Sequence, residues 1–257
     1  MNPQEAAAFL AHVRLAVGRG ARGRRFAVFA IGIPLAIYLT YLVSGIGAVT
    51  GQATGGIGWP AYLMVSMAAL GAMNAGVAVA AGTEHGTSGP LRSRAARAGS
   101  SPNAGMDLGV NAVAAMVLAV PPLILIVLTG ALDGVGLPIG DLVRLVTVLW
   151  VGALPFVALG LLLRPLLDAD TGDVVLLGIV VVLAILGGLF QPIDTFPDSL
   201  AAFARVLPSY HLADLGWTTV AGHIGAPGDF LVLAGYTLAI GAIVVWRNRS
   251  RDKPVRA

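Results

Sequence analysis

The chain has 257 residues, of which 57% are apolar and only 11% are charged. Charges this sparse cannot cover the surface of a water-soluble domain, in which about 25% of residues are charged, whereas lipid solvates apolar side chains directly. The composition therefore excludes a soluble globular protein. The chain also contains no cysteine, which excludes disulfide bonds, thiolate catalysis and cysteine-based metal sites.

Six apolar stretches have the length, or nearly the length, needed to cross about 30 Å of hydrocarbon. In chain order they are Phe26–Val43, Pro60–Gly82, Leu108–Gly130, Leu142–Leu163, Val174–Phe190 and Asp229–Trp246. The fifth is the shortest, and its outer end is the hardest boundary to place because it includes a Gly-Gly pair. We predict an all-α integral membrane protein with six transmembrane helices.

Lysine and arginine are unevenly divided between the two sides that these spans define. Fourteen of the sixteen precede span one, follow span six, or lie in segments 83–107 and 164–173, whereas Arg205 is on the opposite side and Arg144 is inside span four. By the positive-inside rule, both termini are cytoplasmic in a multi-pass protein of the cell (inner or plasma) membrane. Because this placement accounts for the net charge of +3, we expect no nucleic-acid partner.

The two ends of the chain are basic. Within residues 1–25, Phe9, Leu10, Val13 and Val17 recur at helical spacing and are followed by a cluster of arginines. This pattern predicts an amphipathic helix lying on the inner leaflet, and a solvated basic tail with some helicity is the alternative. Residues 247–257 are predicted to form a basic cytoplasmic tail.

Span two carries a small residue at every fourth position. These residues are Ala68, Ala72, Gly76 and Ala80. In lipid such a stripe lets another helix backbone approach closely, so it predicts helix packing at this face. The alternative is that glycine, with 34 copies, and alanine are simply abundant throughout the chain.

The segment between spans five and six predicts two short helices. Asp198 is the expected N-cap of a helix whose Leu200, Phe203 and Leu207 share one face, and Pro208 is expected to end it. The following run, Tyr210–Val220, is apolar enough to enter the membrane but too short to cross it. We predict two short outer-leaflet helices, re-entrant or interfacial.

Acidic residues are nearly absent from the interior of the predicted spans. The closest ones are placed at span ends: Asp107, Asp133, Asp141, Asp173 and Asp229. Arg144 is near an end from which its side chain can reach the interface. Because ion-coupled transporters retain charged residues within the membrane, we expect no proton or sodium coupling.

The sequence contains no catalytic or nucleotide-binding motif of the G-x-S-x-G, H-E-x-x-H or G-x-x-x-x-G-K-[ST] kind. Its four histidines fall on predicted loops, where a single histidine is usually solvated or caps a helix: His12, His85, His211 and His223. We therefore expect a chain that is not an enzyme, with no catalytic, cofactor-binding or metal-binding residues. Any ATP must be bound by a partner.

The stretch after span five has a distinctive pattern of glycine and proline. It reads Gly187-Gly188-Leu189-Phe190-Gln191-Pro192, then Phe196-Pro197, Leu200 and Leu207-Pro208-Ser209-Tyr210-His211. Glycine and proline here end a span and turn the chain back toward the membrane. With the six spans, the cytoplasmic termini and the outer helical pair, this stretch resembles the membrane subunit, or permease, of ABC-2 type exporters. The family pattern is G-G-x-x-x-P…P-x-x-L…P, and Gly187, Gly188, Pro192, Pro197 and Pro208 match its outer re-entrant turn.

The resemblance also implies a loop after span two that docks on an ATPase. The matching residues are Glu84, His85, Gly86, Thr87, Leu91 and Arg92, with Gly89 as another candidate for the glycine. The sequence departs from the family where His85 replaces an expected arginine and where Pro90 interrupts the region. A solvated inside loop with topogenic arginines is the alternative.

If the resemblance holds, residues 26–246 form a six-span ABC-2 type transmembrane domain. The chain would then be the permease subunit of an ATP-driven exporter, which moves an apolar or amphipathic drug, antibiotic or lipid as in multidrug efflux and antibiotic resistance. Its partners would be a dimer of ATPase subunits, membrane lipid and a second permease in a homodimer. Two alternatives remain: a non-transporting ABC-2-like immunity or sensor subunit, and a membrane enzyme acting on lipids.

Overall fold

The computed structural model describes residues 3–44, 56–82, 104–167, 171–223 and 227–251. These ranges are mainly helical. We name the α-helices α1 (Pro3–Arg22), α2 (Arg24–Phe26), α3 (Ile33–Ser44), α4 (Trp59–Ala81), α5 (Ala104–Leu132), α6 (Ile139–Gly152), α7 (Leu154–Leu163), α8 (Gly172–Leu186), α9 (Asp198–Ala204), α10 (Pro208–Val220) and α11 (Pro227–Arg251).

Five helical segments are long and apolar enough to cross a membrane. They are Ala27–Ser44, Trp59–Ala81, Gly105–Leu132, Ile139–Leu166 and Pro227–Ser250. The predicted fifth span is the shorter apolar helix α8, which has 15 residues and a length of about 22 Å. The all-helical architecture is therefore confirmed for the described residues, with five candidate membrane spans, and the count of six depends on α8.

Helix α4 lies at the centre of the bundle and is buried along almost its whole length. A Cβ added at Gly76 would lie 3.3 Å from Val157, and one at Gly71 would lie 2.9 Å from Pro122 and 3.0 Å from the carbonyl oxygen of Ala30. These short distances show that α5, α7 and span one approach the backbone of α4 closely. The close helix packing predicted for span two is confirmed, because small side chains are what permit it.

Span four is divided into two helices rather than the single predicted one. Ala153 separates α6 from α7, and Pro155 stands at the start of α7. A proline has no N–H to continue the hydrogen-bond ladder of the preceding helix. The local sequence thus accounts for the break.

Span one starts with a π-helix, Ala27–Gly32, which continues into α3. The wider turn is tied to the central helix, because the side-chain amide of Asn74 donates to the carbonyl oxygen of Phe29 over 3.2 Å. Such widened turns leave carbonyl groups that need partners from a neighbouring element.

Helix α1 packs against the start of α5. Val13 and Ala16 are buried, and a Cβ at Gly109 would lie 3.3 Å from the ring of Phe9. Leu10, which was predicted to share the apolar face, is 58% exposed. The helix itself is observed, and its placement on the inner leaflet stays a prediction.

The two short helices predicted between spans five and six are present as α9 and α10, but their details differ from the prediction. Pro197 occupies the N-cap position of α9, so Asp198 is its first residue instead of its cap. Helix α9 buries Ala201 and Ala204, whereas Phe203 is 52% exposed. It ends at Ala204, and Pro208 begins α10, because proline suits the first turn of a helix, where no N–H is needed.

Candidate functional site

The chain reverses direction at Gly187 and Gly188, and both positions require glycine. A Cβ at Gly187 would collide with Ser209 and lie 2.8 Å from the carbonyl oxygen of Leu183. Gly188 has a positive φ of 82°, and a Cβ there would lie 2.6 Å from a methyl group of Ile193. Span five therefore ends at Leu186, four residues earlier than predicted, since Leu189 and Phe190 belong to the turn.

Two hydrogen bonds fix this turn to neighbouring helices. The hydroxyl of Tyr62 on α4 donates to the carbonyl oxygen of Gly188. The hydroxyl of Ser209 donates to the carbonyl oxygen of Leu183 over 2.6 Å, and Pro208 places Ser209 there by starting α10 one residue earlier. The turn is thus held between α4 and α10.

The remaining prolines of the predicted outer turn lie along the return path of the chain. Pro192 is buried and precedes the 3-10 turn Ile193–Thr195, whereas Pro197 is exposed and precedes α9. The fold thus brings Gly187, Gly188 and Pro208 into one place. Pro192 belongs to the same turn, since a Cβ at Gly188 would contact both of its neighbours, Gln191 and Ile193, and only Pro197 lies beyond it.

An aromatic row joins α4 to α10 beside the turn. Tyr62 stacks between Trp59 and Trp217, with ring centroids 5.2 and 4.9 Å apart, and Tyr41 and Tyr210 meet the row edge-on. The indole N–H of Trp217 donates to Ser66 over 3.2 Å. Sequence analysis missed this row, although the spacing of Trp59 and Tyr62 places both on one helix face.

A buried polar cluster links α10 to α11. Nδ1 of His211 lies 2.6 Å from Oδ1 of Asp229, and their side chains are only 13% and 8% exposed. Asp214 lies one turn further along α10, and its carboxyl is within hydrogen-bond reach of the Asp229 side chain. The predicted loop position of His211 is wrong, since the residue lies in α10, and His12 likewise lies in α1.

The surroundings of this cluster change its acid–base properties. Burial, and then the nearby carboxylate of Asp229, raise the pKa of Asp214 from its ordinary value of 3.8 to about 6. Burial and the charge of Asp214 raise the pKa of Tyr210 to about 12. In the part of the chain that the structure describes, no three potential ligands are placed to hold a metal ion.

Asp173 is also more enclosed than its predicted position at a span end implies. It is buried in the first turn of α8 and lines a cavity of about 20 Å³ together with Phe26, Phe29 and Asn74. That volume accommodates about one water molecule. Asn74 lies seven residues before the end of α4, which is about 10 Å along the helix. Because Asp173 in the first turn of α8 lines the same cavity as Asn74, α8 begins well inside the bundle.

At the end of the bundle where α4 finishes, Arg164 contacts both helices that flank residues 83–103. Its Nη1 lies 3.0 Å from Oδ2 of Asp107 near the start of α5. Its guanidinium group also lies against Gly82, which ends α4 with a positive φ of 70°. The predicted ATPase-docking residues Glu84, His85, Gly86, Thr87, Leu91 and Arg92 lie outside the described residues.

Arg247 secures the same end of the molecule. Its guanidinium donates to the carbonyl oxygens of Leu162 and Leu161 over 2.8 and 3.2 Å. These bonds give the last carbonyl groups of α7 the partners that a helix end lacks.

Helix α11 continues to Arg251, so the segment predicted as a basic tail begins as part of this helix.

The comparisons with known proteins find one relative that bears on function. A Bacillus subtilis (strain 168) protein named "Putative transport permease YvfS" is 29% identical over 106 residues, which cover 40% of this chain and 43% of that protein. This similarity supports a permease of the ABC-2 type, at the level of the family. The aligned region spans less than half of the relative's length. No family model and no solved structure matches this chain.

Proposed function

We propose that this chain is the membrane-spanning permease subunit of an ATP-driven exporter in the cell membrane. The observation that carries the proposal is its similarity to a protein named as a transport permease. The five long apolar helices support a multi-pass membrane protein, with α8 as a sixth, shorter span. ATP is bound and hydrolysed by a separate ATPase dimer, and both termini face that dimer in the cytoplasm.

In this proposal the ATPase acts on the loop that contains Glu84 and Arg92. The contacts of Arg164 with Gly82 and Asp107 support this role, because they join both flanks of the loop to the end of span four. A displacement of the loop would therefore move α4, α5 and α7 together. Since α4 is the central helix of the bundle, the displacement would reach the interior.

The substrate path in this proposal lies between two copies of the chain. Span one and α11 are largely exposed within one protomer, and α11 presents Leu231, Leu238 and Trp246. Those apolar faces suit lipid or a second permease. Asp229 is hydrogen-bonded to His211, and Asp107 is paired with Arg164. The exposed faces of span one and α11 are therefore mainly apolar, and we expect the substrate to be an apolar or amphipathic drug, antibiotic or lipid, as in multidrug efflux.

Reconstitution with the ATPase tests the proposal. The permease would be coexpressed with the ATPase that the proposal requires, purified through a tag on the permease, and placed in proteoliposomes with a fluorescent amphipathic probe. We expect copurification, a homodimer of permeases, and probe transport that requires ATP. An ATPase carrying an inactivated Walker motif is the matched control.

Two results would contradict the proposal. Transport at full rate by the permease without any ATPase would show that the chain does not depend on a nucleotide-driven partner. Stable binding of the ATPase with no transport of any probe, drug or lipid tested would instead support an immunity or sensor subunit.

A further inference from the structure

The polar cluster of α10 and α11 has a geometry that neither the resemblance nor the proposed function requires. His211 and Asp214 are three residues apart on α10, so they share a helix face that meets Asp229 in the first turn of α11. The surrounding contacts of α10 are apolar, such as Leu212 against Gly152 and Leu215 near the same glycine. The cluster is therefore a small polar region inside an apolar interface.

In the described part of the chain, the hydrogen bonding of Asp229 leaves one of its two carboxyl oxygens without a donor. Oδ1 of Asp229 is bound to His211, whereas Oδ2 is buried and meets no donor among the described residues. The carboxyl of Asp214 lies within hydrogen-bond reach of the Asp229 side chain. Because ionised carboxylates only accept hydrogen bonds, Asp214 and Asp229 can bond to each other only when one of them is protonated.

We propose that Asp214, Asp229 and His211 form a proton-binding site, which holds α10 against α11 when its shared proton is bound and loosens this contact when the proton leaves. The carboxyl groups of Asp214 and Asp229 bind one proton between them. His211 stays hydrogen-bonded to Oδ1 of Asp229. Loss of the proton would leave the carboxylate of Asp214 beside the buried carboxylate of Asp229, and the two would repel each other.

Other titratable groups around α10 are placed to influence the site less directly. They are Tyr210 on α10, Arg205 after α9, Asp194 in the 3-10 turn, Asp141 and Arg144 on α6, Tyr62 on α4 and Asp173 at the far end of α8. Asp141 and Arg144 pair with each other at 3.6 Å, and Tyr62 is bonded to Gly188. The groups that act directly on Asp214 are Asp229, His211 and Tyr210.

The direction of the pH effect follows from the raised pKa of Asp214. A carboxyl whose pKa is higher in the packed state than in the opened state stabilises packing in its protonated form. That contribution is complete below the ordinary pKa of 3.8 and is lost as the pH rises through about 6. We therefore expect α10 and α11 to separate more readily in alkaline than in mildly acidic medium.

Loss of the proton would affect the end of the bundle that contains the Gly187–Gly188 turn. Helix α10, which would loosen, also carries Ser209 and Trp217. Ser209 holds the turn at Gly187, and Trp217 stacks on Tyr62 of the central helix. Loosening α10 would therefore weaken both attachments of the turn. The proton site and the ATPase-docking loop lie at opposite ends of α4, so a result that contradicts one proposal does not contradict the other.

Infrared spectroscopy on the full chain in lipid nanodiscs tests the inference. Between about pH 5 and about pH 8, we expect a protonated-carboxyl band to disappear with a midpoint near the raised pKa of Asp214. Asp214→Asn should remove this band. His211→Gln should move its midpoint to higher pH, because His211 lowers the pKa of Asp214. Asp141→Asn is the matched control and should leave the band unchanged.

Hydrogen exchange of the same samples gives a readout of packing. After correction for intrinsic exchange, protection in α10 and the first turns of α11 should fall about tenfold between the two pH values in the wild type. Asp214→Asn should keep protection independent of pH. A wild-type spectrum with no carboxyl band titrating in this range would overturn the inference, and so would an unaltered pH dependence in a folded Asp214→Asn variant.

Discussion

Arg164 and Asp107 form an ion pair, 3.0 Å between Nη1 and Oδ2, that joins the end of span four to the start of span three. Asp107 follows residues 83–103 in the chain, and Gly82, which also contacts Arg164, precedes them. One guanidinium group thus lies at both flanks of the segment proposed to receive the ATPase. Because the pair is partly exposed, its importance is expected in positioning more than in stability.

Arg164→Ala should uncouple hydrolysis from transport. Removing the guanidinium frees the flanks of the loop from α7, so transport per ATP hydrolysed should fall several-fold while the melting temperature changes little, since such pairs contribute about 0 to 1 kcal/mol. Paired transport and ATPase assays in proteoliposomes measure the ratio. Arg144→Ala removes the 3.6 Å pair with Asp141 and serves as the control. Equal ratios in the two variants would contradict the positioning role.

Changes in the loop itself should have a stronger effect. Glu84→Lys, or deletion of residues 86–92, should leave membrane insertion intact but uncouple ATP hydrolysis from export, because an acidic contact with the ATPase is reversed or removed. Glu84→Gln should have a smaller effect, since it removes the charge without reversing it. The same assays apply. Unchanged transport and unchanged substrate-stimulated hydrolysis in the deletion would remove the assignment of this loop.

Gly188→Leu should destabilise the protein and block export. The residue has a positive φ of 82°, and a side chain there would meet Ile193. Such backbone strain costs on the order of 1 to 3 kcal/mol, before the collision is included. Gly178→Leu, on the preceding helix α8 and with nothing within 4 Å of its added Cβ, is the matched control. Thermal unfolding and probe efflux measure both variants, and wild-type efflux from Gly188→Leu would refute the role of the turn.

Tyr62→Phe should loosen the turn without removing the aromatic row. The variant keeps the stack on Trp59 and Trp217 but leaves the buried carbonyl of Gly188 without its donor, at an expected loss of about 1 to 3 kcal/mol in unfolding free energy. Tyr236→Phe removes a hydroxyl that donates to Val206 at an exposed site over 2.9 Å, and it should cost less. A smaller loss in Tyr62→Phe than in Tyr236→Phe would argue against the attachment.

Local sequence determined most of the helices. The predicted Pro60–Gly82 is observed as Trp59–Ala81, because proline fits the first turn of α4 and Gly82 adopts the left-handed conformation that ends it. Span five shows where this reasoning fails. Leu189 and Phe190 are apolar like the residues of a span, yet they lie in a turn. Apolar residues indicate that a segment is buried, but they do not distinguish a buried helix from a buried turn.

The residues of the candidate sites come together only in the folded chain. His211 and Asp229 are 18 positions apart, and Tyr62 and Gly188 are 126 apart. A sequence pattern shows which residues share one helix face, because the helical period repeats within a few residues. It does not show which faces of different helices meet. Composition and periodicity thus determined that this is a helical membrane protein, and helix packing decided which buried polar groups find each other.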